Sequence, residues 1–552
     1  MKKLIIFFLI IGTALVQQSC TDFLEEVPIS QQSPLNFYNN FSEAEQAVTG
    51  VYKALRENGL FANGQDMMYI TSDIQRAAQF NNRGGLGDYT FDGSNFVVNN
   101  VWRKLYKAIG RANSVIENVN KNDKIQGWEQ IEAEARFLRA FSYFNLVRMF
   151  QNIPLVLEST KSLDEVNVPQ NAESEVYAAI IEDLQFAELN AKEKGEVQYG
   201  RVTSSAASGM LAKVYLTIAS NKERRDGGDG SAEYQLAAAT AKKVIDSGLY
   251  SLVDYYPDVF HRRNKGHDEN LFAMTYQIGP DNGGQVGVIA LFGSANQGGG
   301  WGGVTATEYY HTIFEPQDSV RRFWNCWKSE IINQGGQRVY RSIETDDWGA
   351  VTPWNGYKYW RTWKIAKFRR FPESLNFLSS GGFFHTEWDI DDPLLRYAEI
   401  LLTYAEALNE INNGPTAEAY DAVNQVRRRS RNVNVAGTGI IHDDIFPREL
   451  EYREGMSPDF ENMSQEEFFN AILDERAREL GGEQGAFRWF DLVRTGLLVE
   501  KIKALATTVI PVTGEPEPNW GAANFIEDKH IRLPIPNTEL DANPLLKQNP
   551  GY

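Results

Sequence analysis

The stretch Trp128-Glu-Gln-Ile-Glu-Ala-Glu-Ala-Arg-Phe-Leu-Arg-Ala-Phe-Ser-Tyr-Phe-Asn-Leu-Val-Arg-Met-Phe150 decides the fold. Neither glycine nor proline interrupts it, and Ile131, Ala135, Leu138, Phe141 and Phe144 recur close to helical spacing, so it reads as one long helix. Pro154 ends the element, and Leu155-Val156-Leu157 reads as extended. The same pattern continues to either side. Val101–Val119 predicts a helix, and Ser42 is placed to cap another that runs to Arg56. Downstream, Ser174 precedes a segment with Tyr177, Ile180, Ile181 and Leu184 on one side, and Thr203 or Ser204 starts an alanine-rich helix to Ser220. The turn Asp226-Gly-Gly-Asp-Gly-Ser231 leads to a helix that Gly248 closes as a C-cap.

Helices return near residue 392. Asp392-Pro393 has the form of an N-cap followed by proline at the first helical position, which predicts a helix to Asn412. Asn413-Gly414-Pro415 stops it, and Thr416 starts a partner ending near Ser430. Ser464 and Glu467 form a capping box, with Gly481 expected just past the helix end. Phe487–Thr495 is a shorter helix stopped by Gly496. Small residues recur along these helices (Ala133, Ala135, Ala140; Ala206, Ala207, Ala212; Ala398, Ala405, Ala407) and allow close approach. The expected class is mainly α, built from degenerate helix pairs stacked into a scaffold.

Between residues 250 and 392 helical periodicity fades and glycine is frequent, so this part reads as loops and short strands. Eight of the twelve tryptophans fall between residues 301 and 388. Trp and Tyr rings offer flat apolar surfaces that match the C–H face of a pyranose, while Asp, Asn and Arg pair with adjacent hydroxyls. Trp301 in Gly300-Trp301-Gly302, Trp354 in Pro353-Trp354-Asn355-Gly356 and Trp348 before Gly349 are the candidate platforms; for each, packing into the core is the alternative. Trp324, Trp327, Trp360 and Trp363 lie in denser apolar patterns that suit core packing.

Lys2-Lys3, the apolar run Leu4–Val16 and Ser19 before Cys20 describe a secretory signal too short to span a bilayer. Cys20 is the expected lipidation site, although Gln17 stands where the strict lipoprotein signal has leucine. Acyl chains contribute about 0.8 kcal/mol per buried methylene, enough to anchor a protein with no transmembrane helix. With Cys20 acylated, Cys326 has no disulfide partner and reads as a small buried residue. The net charge of −18 becomes −20 once Lys2 and Lys3 leave with the signal, which disfavours nucleic acid as a partner.

Phosphate-loop, nucleophile-elbow and H-E-x-x-H patterns are absent, and no cofactor or metal is implied. His261 and His267 read as residues of an exposed charged loop, and Asp226–Asp229 as a surface turn. A glycosidase needs only two carboxylates, which 73 acidic residues leave open.

A series of ordered motifs resembles the SusD/RagB family of outer-membrane nutrient-binding lipoproteins. These are Cys20-Thr-Asp-Phe-Leu-Glu-Glu-Val-Pro28, Glu134–Phe144, Asn152-Ile-Pro-Leu-Val156, Gly200-Arg-Val-Thr203, Leu211–Leu216, Leu395–Leu402, Tyr404-Ala-Glu-Ala407, Glu475-Arg476, Glu479-Leu480, Arg488–Arg494, Leu533-Pro-Ile-Pro536 and Gln548-Asn-Pro-Gly-Tyr552. The resemblance implies a mostly helical fold with four degenerate tetratricopeptide-like pairs and a loop-rich ligand-binding portion. It implies a surface-exposed, non-catalytic protein of the outer membrane that captures oligo- or polysaccharide as the lid of a SusC-like TonB-dependent barrel; peptide cargo occurs in some relatives. The family's early loops often contribute to the site, which makes Asp73, Arg76, Phe80 and Asn81 candidates here, with a surface Asp73–Arg76 pair as the alternative. The expected organisation is a signal peptide over 1–19, a tether over 20–40, an N-terminal helical part over 41–250, a loop-rich aromatic part over 251–392 and a C-terminal helical part over 393–552, the last three as one compact unit. Glu399, Glu406, Glu475 and Arg476 read as scaffold ion pairs rather than site residues.

Overall fold

A computed structural model describes residues 37–57, 70–77, 85–119, 126–261, 264–276, 304–315, 317–327, 329–334, 337–342, 352–354, 357–359, 364–365, 367, 390–431, 457–483, 488–507 and 523–552. The first helices are α1 (Phe41–Leu55), α2 (Phe96–Val119), α3 (Trp128–Phe150), α4 (Glu173–Asn190), α5 (Ser204–Ser220) and α6 (Ser231–Ser247). Each packs on the next in chain order, because short connections return the chain beside the helix it has just left. The remaining main helices are α7 (Glu308–Thr312), α8 (Ser319–Asn325), α9 (Tyr397–Ile411), α10 (Ala417–Ser430), α11 (Gln465–Leu480) and α12 (Arg488–Arg494). Helix α9 packs against α6, α10 and α11, which joins the N- and C-terminal helices through one core. The chain is mainly α, as its periodicity predicts. Among the described residues no helix is long and apolar enough to cross a membrane.

Helix α3 has the predicted bounds but a different environment. From Gln130 to Phe150 only Arg136 and Arg148 escape full burial, so the helix is enclosed on all sides rather than along a stripe. Its buried polar groups are matched in detail. Glu134 accepts from Arg201 (2.6 and 2.9 Å) and from the Tyr52 hydroxyl (2.7 Å), and Arg139 donates to both oxygens of Asp183 (2.7 Å each) and to Asn113 Oδ1 (2.8 Å). An unmatched charge at this depth would cost several kcal/mol, so these pairs are a condition of burying the helix.

Local capping explains several of the helix starts. Thr203, Thr416 and Ser464 cap α5, α10 and α11 through their hydroxyls, and Glu467 completes the box with Ser464. Helix α1 is capped by Asn40 rather than Ser42, its Oδ1 accepting from the Glu43 amide (3.1 Å). Helix α4 starts at Glu173, before Ser174, with the Glu175 carboxylate accepting from the Ala172 N–H (3.0 Å). Gly248 closes α6 at φ 65°, as expected.

Gly481 follows α11 as predicted, but for a different reason. Its φ of −55° suits any residue, yet a Cβ there would lie 2.4 Å from the Ala477 carbonyl oxygen and 2.5 Å from the Tyr310 hydroxyl. Close contact with the Ala477 carbonyl of α11 and with Tyr310 of α7, not left-handed backbone, demands the glycine. Gly481→Ala is expected to cost about 1–3 kcal/mol of overpacking, read as a lower thermal midpoint; an unchanged melt would show the contact to be soft.

The expected helix start at Asp392-Pro393 is corrected. Asp392–Arg396 is a strand, paired antiparallel with Asn270–Met274 and buried along its length, and α9 begins only at Tyr397. A fully enclosed ribbon against α5 outweighs the local Asp-Pro preference. His261 is buried, and His267 is tied to the Val259 carbonyl (3.1 Å) and the Glu269 amide (3.2 Å), so the exposed-loop reading of these histidines is also corrected. The Asp226–Asp229 turn is at the surface, and Cys326 and Trp324 are buried, as expected.

Candidate functional site

Two short strands far apart in sequence form one ribbon. Strand β1 (Gln75–Ala77) pairs antiparallel with the strand Val304–Ala306, with Gln75 opposite Ala306 and Ala77 opposite Val304. The chain leaving Ala77 and the chain arriving at Val304 therefore meet at the same ribbon end. The first leads to Phe80 and Asn81; the second comes from Trp301. Phe80, Asn81, Trp301, Trp348 and Cys20 lie outside the described residues.

The opposite end of the ribbon is held by buried polar contacts. The Ser72 amide donates to the Gln75 carbonyl (2.8 Å), the Thr71 hydroxyl to the Gly87 carbonyl (2.6 Å), and the Thr307 amide to the Ile74 carbonyl (3.1 Å). The Asp73 carboxylate accepts from Arg488 Nε (3.0 Å) and Nη2 (2.8 Å), and Arg488 Nη1 donates to the Leu473 carbonyl (2.6 Å). Burial opposes the Arg488 charge, but the Asp73 carboxylate more than offsets this and holds the guanidinium above its ordinary value. Asp73 is 2% exposed and Arg76 5%, so the surface-pair alternative is corrected: both are buried, and Asp73 is paired with Arg488. Asp73 fixes the ribbon to α12. Its partner stands 415 positions away, and no local signal identifies it.

The aromatic-rich segment is clamped beside this ribbon. Cys326-Trp327 pairs with Lys364-Ile365, and the latter strand packs against Val304–Ala306. Thr352–Trp354 pairs with Tyr357–Tyr359, with Trp354 opposite Tyr357 in the register, so Trp354 ends its strand beside the connection to the next. Ser329–Gln334 and Gln337–Ser342 form a further hairpin. Among the described residues of 251–392 short strands occur, as the composition predicts, together with the short helices α7 and α8, which it does not.

A buried ion network fixes the base of that segment. Glu475, Glu479 and Glu483 recur every four residues along and just beyond α11. Arg321 from α8 donates to Glu475 (2.7 Å), Glu479 (3.1 Å) and Asp318 (2.6 Å). Arg396 reaches Glu269, Glu479 and Glu483; Arg427 meets Glu475 (3.0 Å); Arg429 meets Glu269 (3.0 Å) and Glu479. Lys367 Nζ donates to Glu483 (2.8 Å) and to the Glu479 carbonyl (2.7 Å). Burial pulls the Lys367 ammonium down to about 8, with Glu483 opposing. Despite burial, the Arg321, Arg478 and Arg427 charges hold the Glu475 carboxyl well below the ordinary range. A second cluster joins Glu399 to Lys213 (2.9 Å) and Arg476 (3.1 Å), Arg476 to Asp491 (2.9 Å), and Arg494 to Glu406 and Asp491. Glu399, Glu406, Glu475 and Arg476 are scaffold residues, as expected. Among the described residues no group of three or more His, Cys, Asp or Glu is arranged to hold a metal ion.

This arrangement of enclosed helices and clamped strands recurs in known proteins. A family model described as the SusD family matches residues 259–552, more than half of the chain, and one described as starch-binding associating with outer membrane matches residues 22–216. The chain belongs to the SusD family. It is 29% identical to SusD-like protein P2 of Formosa agariphila over the full length of both chains. It is 27% identical to SusD-like protein P25 of the same organism, over 97% of each chain. Among solved structures, a SusD homolog from Bacteroides thetaiotaomicron superposes with a TM-score of 0.72 at 24% identity, covering 94% of this chain and 98% of the other. A laminarin-binding SusD-like protein gives 0.66 at 22% identity, covering 93% and 100%. At these identities the structural likenesses establish the SusD-like fold.

Proposed function

We propose that this SusD-family protein is a non-catalytic, surface-exposed glycan-binding protein that captures oligo- or polysaccharide and passes it to a TonB-dependent outer-membrane barrel. The observation that carries the reading is the β1 ribbon. Trp301 is three residues before Val304 in the sequence and Phe80 three after Ala77, and Val304 and Ala77 are partners in the ribbon. The opposite end of the ribbon is locked by Asp73 and Arg488, and the α11 carboxylates hold the neighbouring elements, which suits a rigid aromatic platform. Similar proteins add support: one is described as laminarin-binding, and another structure, with a TM-score of 0.67, as containing a xylogluco-oligosaccharide. Anchoring at Cys20 and association with the outer membrane are part of the same reading, supported by the description of the matched N-terminal family model.

Calorimetry against a panel of plant, host and microbial oligosaccharides tests it. Trp301→Ala and Trp354→Ala are each expected to weaken binding of the selected glycan about fivefold or more, as loss of a stacked ring costs ~1 kcal/mol. Unchanged binding in both variants would refute this site, and release of reducing sugar by the purified protein would refute the non-catalytic role. Peptide cargo is the second reading. The mature charge of −20 favours basic peptides, and competition between a basic peptide and the glycan separates the two.

A further inference from the structure

The C-terminal motif Gln548-Asn-Pro-Gly-Tyr552 folds back on the segment before it. Gln548 exchanges hydrogen bonds with the Ile535 backbone (2.7 and 2.8 Å), and the Tyr552 hydroxyl donates to the Arg532 carbonyl (2.9 Å). This return encloses His530, which ends the short helix Glu527–His530 and is 1% exposed. Among the described residues four rings surround its imidazole. Tyr89 and Phe91 come from the early loop 85–95, with ring centres at 5.1 and 5.4 Å. Phe525 and Tyr552 come from the C-terminal segment, at 5.6 and 6.1 Å. Asn524 donates to the Asp88 carbonyl (3.0 Å), so the two segments are joined through this box.

The geometry holds the imidazole neutral. Nδ1 accepts from the Ile526 amide (2.8 Å), so the single ring proton sits on Nε2, which is buried and has no hydrogen-bond partner among the described residues. A second proton would have to enter at Nδ1, where it breaks the Ile526 bond and puts a charge among the rings. The groups facing His530 do not receive that charge. The early loop presents the Tyr89 phenol and the C-terminal segment the Tyr552 phenol, and burial pushes the ionisation of both upward, so both stay neutral. The Lys529 ammonium lies 4.6 Å from the centre of the Tyr552 ring and repels an imidazolium. The carboxylates of these segments are engaged elsewhere: Asp73 with Arg488, Asp88 with Thr90, Asp92 with Ser94 and Glu527 with Lys503, while Asp528 acts on Arg532. Burial, with Lys529 adding to it, brings His530 down to about 4.

The early loop depends on this box. Tyr89 has left-handed backbone (φ 58°), which is costly for a residue with a side chain and persists only where packing holds it. Its hydroxyl donates to the Thr71 carbonyl, and the Thr71 hydroxyl returns to the Gly87 carbonyl, beside Ser72 and Asp73 at the base of the β1 ribbon. Opening of the box therefore removes support from that base.

We propose that His530 is a pH-sensitive latch: neutral, it closes the C-terminal segment onto the early loop, and its protonation opens that contact and loosens the base of the ribbon. The inference goes beyond the glycan-binding reading and does not depend on it. Between the ordinary histidine value of 6.5 and about 4 the open form binds more protons than the closed one, so closure is complete above about pH 6.5 and is lost as the pH falls. Hydrogen exchange on the purified protein, corrected for the intrinsic effect of pH, reads the opening. Protection of peptides covering residues 70–77, 85–95 and 523–533 is expected to fall roughly thirtyfold from about pH 7.5 to about pH 5, while peptides of α3 stay protected. In His530→Asn, whose Oδ1 still accepts from Ile526 but takes up no proton, and in His530→Phe, which keeps a ring, the same peptides are expected to show no such fall. The proposal is overturned if the parent keeps its protection there down to about pH 5, if α3 loses protection equally, or if either variant follows the parent. It is also overturned if His530 titrates by NMR at its ordinary value or above, because the rings would then stabilise the imidazolium rather than exclude it.

Discussion

Replacing Glu479 by alanine is expected to lower the stability of the protein by about 3–5 kcal/mol, because the change strands buried positive charge. Glu479 has no solvent exposure, and its carboxylate is shared by Arg321, Arg396 and Arg429. Those guanidiniums come from α8, from the strand before α9 and from α10, so one carboxylate ties three elements to α11. Its removal leaves cations that neither water nor a remaining partner can fully satisfy. Typical total stabilities are only about 5–15 kcal/mol, so the thermal midpoint falls markedly; Arg321 loses one of its carboxylates, while Lys367, bound to the Glu479 carbonyl and to Glu483, keeps both partners. The control is Glu466→Ala, which removes a carboxylate 67% exposed and paired with Arg224 at the surface; its cost is about 1 kcal/mol or less. Equal melts for the two variants would refute the network's structural role.

This network and the second buried cluster together predict an acid limb. The Glu475 and Asp491 carboxyls are held well below their ordinary values of 4.5 and 3.8, against the effect of burial, by Arg321, Arg478 and Arg427 and by Arg476 and Arg494 respectively. Between the ordinary and the folded values the unfolded chain binds more protons than the native one. Their stabilisation is therefore complete above about pH 5 and declines as the pH falls below it. Thermal midpoints measured from about pH 7 down to about pH 3 are expected to fall steeply in the acid range, and a flat profile there would contradict the assignment.

Arg488→Ala is expected to have the second large effect, about 3–5 kcal/mol, by leaving the Asp73 carboxylate buried and unpaired. Its consequence for function is distinct. Asp73 stands two residues before β1, and its backbone carbonyl also receives the Thr307 hydroxyl, so the lock holds both strands of the ribbon at their base. A variant that still folds at low temperature is expected to lose affinity for the glycan selected in the panel, although Arg488 itself is only 2% exposed. Asp73→Asn keeps an acceptor for Arg488 and is expected to lose less of both. Melting curves paired with calorimetry decide the matter: stability lost with affinity retained would make Arg488 a scaffold residue with no part in positioning.

Much of the fold was legible in the sequence for local reasons. Helix α3 begins and ends at the predicted Trp128 and Phe150, and α11 starts on its Ser464–Glu467 box, because periodicity and capping act within a few residues. The scaffold role of Glu399, Glu406, Glu475 and Arg476 was legible too, since acidic and basic groups inside helix-forming stretches need partners. The candidate site was less legible. Asp73 and Arg76 sit in a short polar loop whose local character suggests exposure, and only the pairing of residues 75–77 with 304–306 and the distant Arg488 bury them. Asp392-Pro393 carries a valid helix-start signal that loses to pairing with Asn270–Met274.

By itself, then, the sequence determined the helical class, most helix ends, the buried thiol of Cys326 and the family, because each is written in neighbouring residues or in ordered motifs. Tertiary structure alone decided which charges are buried, which strands meet, and that the early loop and the approach to Val304 share one ribbon end. The physical reason is range: capping and periodicity are satisfied within one or two turns of chain, whereas burial and strand pairing depend on groups hundreds of residues away that only folding brings into contact.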